Sequence, residues 1–277
     1  MKIETIIIDD WKKHSRQWQN IGPPLRPQEE DITFLRNTIV IPSDFSKSKY
    51  DILLLGVTPE LVALPWPTSS HMLAVDKSRA MIQQLWRPNP AIRSHAVRSD
   101  WFQLPVGDEN FDLILGDCCM TLMHPEQDRP RFLKELRRVL RPGGRLALRL
   151  FVRPEISETP ENVFDDLWNN RIGNFHIFRW RLLMALHGSS HEGVLISRAW
   201  DYWQQSVLNN DQIVACTGWD PVIIATMEAY RDSISRYFFL TLEQSRNILG
   251  HFLTERDVQT PTYELGCCCS TVIYSSS

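Results

Sequence analysis

The chain of 277 residues lacks long apolar runs, a large excess of either charge and a recognisable leader segment. No run approaches the ~18 apolar residues that a membrane-spanning helix requires, so the sequence predicts no such helix. The formal net charge is −3, which gives no basic surface for nucleic acid or anionic lipid. The first residues, Met-Lys-Ile-Glu, show no charged segment followed by an apolar one. We therefore expect no signal peptide and a cytoplasmic protein.

Cysteine is sparse, and its placement argues against disulfides and against a metal centre. Cys118 and Cys119 are adjacent, residues 267–269 are three cysteines in a row, and Cys216 stands alone. Neighbouring residues in a strand point to opposite faces, so adjacent cysteines rarely supply several ligands to one ion. We interpret them as small buried side chains and predict no metal, with a metal or redox site as the alternative.

What the chain does contain is a regular alternation of apolar and helical segments over residues 51–151. Hydrophobic residues make up 43% and charged residues 23% of the chain, enough for a sizeable core. Strands are predicted at 51–56, 71–76, 93–98, 111–116 and 145–151, and helices at 58–64, 78–86 and 126–140. Such alternation predicts an α/β fold with a parallel sheet and crossover helices.

The rest of the chain divides into three parts with different patterns. Residues 1–50 form a polar, proline-containing arm, with helices predicted near 9–19 and 28–36. Residues 155–237 read as mostly helical, and residues 240–277 return to a helix followed by two strands. In these last two parts, helices are predicted at 160–170, 175–187, 194–208, 220–232 and 241–253. Strands are predicted at 256–263 and 270–275. The predicted units are the arm 1–50, a core of 51–154 and 238–277, and a helical insertion 155–237.

The first two strands carry the pattern of a nucleoside-binding unit. The strand 51–56 ends in glycine, and the strand 71–76 ends in an aspartate that is placed to bind ribose. The turn between them, Gly-Val-Thr-Pro-Glu over residues 56–60, has one glycine instead of three. It lacks the triple glycine that a pyrophosphate needs, which disfavours a nicotinamide-dependent oxidoreductase.

Five stretches, in order, resemble the class I S-adenosylmethionine-dependent methyltransferases. They are Leu-Leu-Leu-Gly at 53–56, Ala-Val-Asp-Lys-Ser at 74–78, Ser-Asp-Trp-Phe-Gln-Leu-Pro at 99–105, Phe-Asp-Leu-Ile-Leu-Gly-Asp at 111–117, and the segment 132–144 that ends in Leu-Arg-Pro-Gly-Gly. The resemblance is strong over residues 50–151 and weak over 240–277. It implies a Rossmann-like, seven-stranded, mostly parallel sheet with helices on both faces and the helical insertion after the fifth strand. It also implies S-adenosyl-L-methionine as cofactor and methyl transfer.

The resemblance also implies roles for individual residues. Asp76 is expected to accept the ribose hydroxyls and Asp100 the adenine amino group, while Gly56 lets the backbone approach the cofactor. Each residue also has a structural alternative. Asp76 could be a helix cap, Asp100 a surface acid and Gly56 a plain turn glycine. The expected cofactor-binding set is Leu55, Gly56, Val57, Thr58, Asp76, Lys77, Met81, Asp100, Trp101, Phe102, Gly116, Asp117 and Cys118.

Methyl transfer requires alignment and exclusion of water, and a base only when the acceptor carries a proton. The candidate catalytic residues are His124 and Asp117, with a structural role as the alternative for each. The candidate acceptor pocket consists of His176, Trp180, Trp200 and Trp203. The alternative is that these residues belong to an ordinary core between helices. No proline pair follows Asp117, which disfavours the route by which some relatives methylate nucleic acid or protein amides.

We therefore predict a small-molecule acceptor, with neither nucleic acid nor membrane as a partner; the sequence leaves the oligomeric state open. The altered first turn motivates a second hypothesis, a methyltransferase fold that has lost catalysis and acts as a binding or scaffold module.

Overall fold

The computed structural model of the chain describes residues 12, 15–40 and 47–276. Within these residues, nine strands are present. They are β1 (Asp51–Leu55), β2 (His71–Asp76), β3 (Arg93–Arg98), β4 (Phe111–Asp117), β5 (Leu140–Arg149), β6 (Val194–Leu195), β7 (Arg236–Tyr237), β8 (Thr254–Gln259) and β9 (Thr271–Ser275).

Seven of these strands form one sheet in the order β3-β2-β1-β4-β5-β9-β8. The first five are parallel, and β9 runs antiparallel between β5 and β8. Every residue of β4 except the last is buried, as expected for a strand covered by helices on both faces. The chain reverses its direction of winding between β1 and β4, so a crevice opens at their carboxyl ends. The predicted Rossmann-like, mostly parallel sheet is confirmed.

The helices flank this sheet and build a separate block after β5. They are α1 (Glu29–Leu35), α2 (Pro59–Val62), α3 (Arg79–Leu85), α4 (Asp128–Val139), α5 (Pro160–Trp168), α6 (Phe175–Ala185), α7 (Ser197–Ser206), α8 (Asn210–Thr217), α9 (Pro221–Ile224) and α10 (Leu242–Gly250). Among the described residues, none of the helices is long and apolar enough to cross a membrane.

The fifth strand begins earlier than the sequence predicted. The Arg-Pro-Gly-Gly segment was expected to form a turn before the strand, but it lies within β5 as an irregularity. The pairing of β5 with β4 shifts there, from Phe111 opposite Leu140 to Leu113 opposite Arg145. A Cβ on Gly144 would lie 2.8 Å from the carbonyl oxygen of Arg141, so the tight excursion requires glycine.

The helical block has its own aromatic core and departs from the prediction at two places. The predicted helix 194–208 divides into β6 and α7, because β6 pairs with β7 some forty residues later. The predicted helix 220–232 divides into α9 and a 3₁₀ segment, Ala225–Tyr230. The sequence analysis missed α8 and β7. A two-residue strand has no periodicity of its own, and only its distant partner defines it.

The N-terminal arm packs against the carboxyl edge of the sheet. The predicted helix 28–36 is present as α1, and Arg36–Val40 continues it as a π-helical turn. Of the predicted helix 9–19, residues 9–11, 13 and 14 lie outside the described residues; residues 12 and 15–17 are helical, and Trp18–Asn20 forms a 3₁₀ turn.

Candidate cofactor and acceptor site

A cavity lies at the carboxyl ends of β1, β2 and β4, between the sheet, the arm and the helical block. The strand ends and the helices that follow them contribute Leu55, Gly56, Val57, Thr58, Asp76, Met81, Leu85, Trp101, Asp117, Cys118, Cys119, Thr121 and Leu122. The arm contributes Trp18, Ile21 and Leu25, and the chain after β4 contributes Phe151, Arg179, Trp180, Tyr230 and Tyr237. The lining is largely apolar, with a few polar groups at separate points, which is typical of a small-molecule site.

The floor of the cavity is formed where β1 ends. Gly56 has a φ of +92°, a conformation that L side chains rarely adopt. Its N–H donates to the carbonyl oxygen of Val75 at 2.8 Å, which holds the turn against β2. The indole of Trp101 donates to the same carbonyl at 2.6 Å and lies 4.0 Å from the position of a Cβ on Gly56. The glycine therefore permits a backbone turn whose outer side is open to the cavity.

Asp76 is the acidic group of the floor. Its Oδ1 accepts from the backbone N–H of Ser78 at 2.7 Å, which helps to begin α3, where the Ser78 hydroxyl is the cap. Its Oδ2 points towards Gly56 and has no hydrogen-bond partner among the described residues. Burial raises the pKa of Asp76 to about 6, and the hydrogen bond from Ser78 opposes this rise. A half-buried carboxylate with one free oxygen fits a ligand that brings hydroxyl donors.

Asp117, at the end of β4, is bound to a buried arginine. Its Oδ1 accepts from Nη1 of Arg149 at 2.9 Å, and both side chains are almost fully buried. The guanidinium also lies 3.4 Å from the carboxylate of Asp31 in the arm and donates to the carbonyl oxygen of Pro24. Asp117 thus has a structural partner and also lines the cavity.

The same ion-pair cluster fastens the arm to the end of the sheet. The Tyr263 hydroxyl donates to Oδ2 of Asp31 at 2.9 Å, and the backbone N–H of Gln28 donates to that oxygen at 2.8 Å. Burial of Asp31 raises the pKa of its carboxyl, and the charge of Arg149 opposes the rise. The arm is thereby held over the carboxyl ends of β4 and β5, where it covers the cavity.

The cysteines at this edge are not poised as nucleophiles. Burial and the adjacent carboxylate of Asp117 raise the pKa of the Cys118 thiol, which donates to Oδ1 of Asp117 at 3.1 Å. Burial likewise raises the pKa of Cys119 to about 12. Both remain neutral thiols, which agrees with their interpretation as packing residues.

The altered first turn is accommodated by the arm. Glu60 lies in the single turn of α2, where an unpaired charge would repel an anionic group of the cofactor. It is paired with Arg26, whose Nε donates to Oε1 of Glu60 at 2.6 Å. The Arg26 guanidinium also lies 5.6 Å from the ring centre of Trp18. The pairing neutralises Glu60 and orders the arm at the mouth of the cavity.

Several predicted cofactor residues lie near the cavity without lining it. Lys77 and Asp100 form an ion pair at 3.3 Å on a partly exposed surface. Phe102 packs on Phe132 and under the guanidinium of Arg131. Gly116 is enclosed: a Cβ there would lie 2.8 Å from Leu148, so this glycine serves the packing of β4 on β5.

The candidate acceptor residues are not brought together as predicted. Trp180 lines the cavity, and its indole nitrogen has no hydrogen-bond partner among the described residues. Trp203 is 1% exposed and belongs to the aromatic core of the block. Trp200 lies on the outer side, 4.7 Å from the guanidinium of Arg231. His176 lies behind the cavity wall, and burial lowers its pKa to about 3, so it is neutral.

The structure does not bring His124 to the cavity. Its ring packs against His191 and Phe238, and its Nε2 lies 3.3 Å from Nδ1 of His191. His187 does not line the cavity either. Its Nε2 accepts a hydrogen bond from the backbone N–H of Phe239, and burial lowers its pKa to about 4. No histidine is among the described residues that line the cavity.

The sequence analysis missed the arm and the far wall of the cavity. Trp18, Ile21 and Leu25 carry no motif, although the arm was expected to lie on the core. Arg179 and Tyr230 lie in the helical block, where the pattern is that of ordinary amphipathic helices. The one available signal was arginine in an apolar stretch, Phe-His-Ile-Phe-Arg-Trp, since arginine is rarely buried without a reason.

Comparison with known proteins agrees with this geometry. Residues 53–148 match the family described as Methyltransf_11, methyltransferase domain. A comparison with curated protein sequences found no match. Among solved structures, the chain is similar to the 1,6-didemethyltoxoflavin-N1-methyltransferase of Burkholderia thailandensis, with 11% identity, coverage of 100% of this chain and 89% of the other, and a TM-score of 0.56.

Two further solved structures share the fold. A Rhodobacter sphaeroides protein, named as belonging to the zinc-dependent alcohol dehydrogenases, has 13% identity, coverage of 98% of both chains and a TM-score of 0.64. The PH0226 protein of Pyrococcus horikoshii has 13% identity, coverage of 94% of this chain and 99% of the other, and a TM-score of 0.52. At such identities the likeness shows the fold alone.

The matched segment spans the cavity floor, from β1 through Asp76 and Asp117 to β5. The match of these residues to a methyltransferase domain, on a Rossmann-like sheet, agrees with the resemblance that the sequence motifs carry. The Burkholderia thailandensis structure is described with S-adenosylhomocysteine bound.

Proposed function

We propose that the protein transfers the methyl group of S-adenosyl-L-methionine to a small-molecule acceptor. One observation carries the proposal: a single cavity joins the strand ends, with Gly56 and Asp76, to an apolar wall of Phe151, Trp180 and Tyr237 from beyond β5. A cofactor bound at the strand ends would face that wall. In an enclosed apolar site, alignment and exclusion of water are what methyl transfer requires of the protein.

The residues of the floor fit the cofactor. Asp76 offers a free carboxylate oxygen where ribose hydroxyls are expected, and Gly56 keeps the turn free of a side chain. Trp101 and Met81 provide apolar surface for the adenine beside that oxygen. When bound, the cofactor supplies an electrophilic methyl group on a sulfonium. The chain's own part is to hold it, to shield it from water and to align the acceptor.

The groups that line the cavity are poorly suited to remove a proton from the methyl acceptor. Asp117 is committed to Arg149, and the lining thiols have raised pKa values. Burial raises the pKa of the Tyr230 hydroxyl, with Arg179 opposing the rise, so this group is a neutral phenol. These features favour an acceptor atom that is already nucleophilic at neutral pH.

Calorimetry on the full chain tests the cofactor half of the proposal. We expect S-adenosylmethionine and S-adenosylhomocysteine to bind, and binding to be lost in Asp76→Ala. Asp108→Ala is the matched control, since Asp108 is exposed and pairs with Arg138 on the surface. Absence of binding to the wild-type chain would overturn the proposal. Tighter binding of a nicotinamide dinucleotide would favour the oxidoreductase alternative.

Turnover tests the catalytic half. Release of S-adenosylhomocysteine should increase with one or more members of a library of small nucleophilic metabolites. Tight cofactor binding without turnover across the library would favour a scaffold that retains the methyltransferase fold.

A further inference from the structure

The cavity contains a buried positive charge that the cofactor does not require. Arg179, on α6, is 2% exposed and lines the cavity on the side of the helical block. Its Nη1 donates to the Thr226 hydroxyl at 3.1 Å, and its Nη2 lies 3.4 Å from Nδ1 of the neutral His176. Its Nε has no hydrogen-bond partner among the described residues.

Two other buried arginines, Arg149 and Arg129, have different partners from Arg179. Arg149 is paired with the carboxylates of Asp117 and Asp31. Arg129, away from the cavity, donates to two backbone carbonyls, those of Met123 and Phe238. Within residues 15–40 and 47–276, neither Arg129 nor Arg179 has a carboxylate within ion-pair distance, but of the two only Arg179 lines the cavity and has an Nε without a hydrogen-bond partner. A buried guanidinium without a counter-charge is unfavourable, so such a group is expected where a ligand supplies the charge.

The orientation of the guanidinium is fixed by its neighbours. Its central carbon lies 4.9 Å from the ring centre of Tyr230 and 5.9 Å from that of Phe175. These rings and Thr226 hold the group, so little side-chain entropy remains to be lost on binding. The N–H of Nε and the remaining N–H of Nη2 form the edge of arginine that can donate two parallel hydrogen bonds to a carboxylate.

The wall near this charge is aromatic. The rings of Phe151 and Trp180 lie 4.6 Å apart, and those of Trp180 and Tyr237 lie 5.4 Å apart. Resting on the proposed function, we infer that the methyl acceptor is a small organic acid, with an apolar or aromatic body against these rings and one carboxylate on Arg179. A single guanidinium balances one negative charge, which favours a carboxylate over a phosphate dianion in this apolar surrounding.

The test compares acids with their amides on the full chain saturated with S-adenosylhomocysteine. The probes are benzoate, cinnamate and indole-3-acetate, each with its neutral amide, and phenyl phosphate. Calorimetry should show at least one carboxylate binding tenfold or more tightly than its amide. Arg179→Met should remove this tenfold preference, and Arg179→Lys should reduce it, because lysine keeps the charge but not the two-pronged edge.

Arg181→Met is the matched control on the same helix. Arg181 pairs with Glu158 and Asp166 and does not line the cavity, so its loss should leave the preference unchanged. If no carboxylate exceeds its amide in the wild-type chain, or if the preference survives in Arg179→Met, the inference is wrong. If phenyl phosphate is the tightest ligand and depends on Arg179, the choice of carboxylate is wrong.

Binding of S-adenosylhomocysteine, measured first in every variant, separates this inference from the proposed function. If S-adenosylhomocysteine does not bind the wild-type chain, the proposed function fails. If it binds but acids and amides do not differ, only the assignment of Arg179 fails.

Discussion

The raised pKa of Asp76 makes cofactor affinity depend on pH in a way that can be calculated. An ionised carboxylate accepts ribose hydroxyls, so the cofactor selects the ionised form, whereas burial without the cofactor favours the protonated form. With a pKa of about 6, roughly a tenth of the free protein is ionised at pH 5 and roughly nine tenths at pH 7. The dissociation constant of S-adenosylhomocysteine should therefore be about tenfold larger at pH 5 than at pH 7.

Calorimetry between pH 5 and 7 measures this dependence, in buffers of different ionisation enthalpy that also report proton release. We expect release of up to about one proton per cofactor bound near pH 5, falling towards zero at pH 7. Asp76→Asn should bind more weakly at pH 7 and lose the pH dependence. A constant dissociation constant, or an equal slope in Asp76→Asn, would refute the reasoning that Asp76 is the ribose acceptor.

The raised pKa of Asp76 also predicts that Asp76→Asn is more stable than the wild-type chain when no cofactor is bound. Because the folded-state pKa is raised, the native protein retains a proton that the unfolded chain has released between pH about 4 and 6. This group's contribution to the free energy of unfolding therefore falls as the pH rises through that window. At pH 7, Asp76→Asn should be more stable by up to about 3 kcal/mol, with the shift converted at 1.36 kcal/mol per pKa unit. Urea unfolding with and without the substitution measures the gain.

Two further predictions concern the packing that forms the site. Arg149→Met leaves the buried carboxylates of Asp117 and Asp31 without a counter-charge and should lower the free energy of unfolding by about 3–5 kcal/mol. In contrast, Arg171→Met, which removes surface ion pairs with Asp165 and Asp166, should lower it by less than about 1 kcal/mol. Equal effects in urea unfolding would contradict the buried network. Gly116→Ala places a Cβ 2.8 Å from Leu148 and should destabilise the protein by about 1–3 kcal/mol, whereas Gly250→Ala meets open space and should be neutral or slightly stabilising.

Much of the fold could be predicted because its determinants are local. Near-continuous apolar segments at 51–55 and 111–116 define strands that are buried on both faces. The helices predicted at 58–64 and 78–86 begin in the structure at Pro59 and Arg79. In contrast, β6 and β7 exist only because they pair with each other, and neither segment carries a signal of its own.

The sequence by itself determined which segments form the parallel strands and which residues stand at their carboxyl ends. This is because a strand ending in glycine, and another ending in aspartate, place Gly56 and Asp76 at one edge of any parallel sheet built with right-handed crossovers. Only the tertiary structure decided which groups close over that edge. Trp18 and Arg179 are more than 150 residues apart in the chain, and Arg149 reaches Asp31 across more than 100. Such contacts depend on how separate elements pack, which no local pattern of residues encodes.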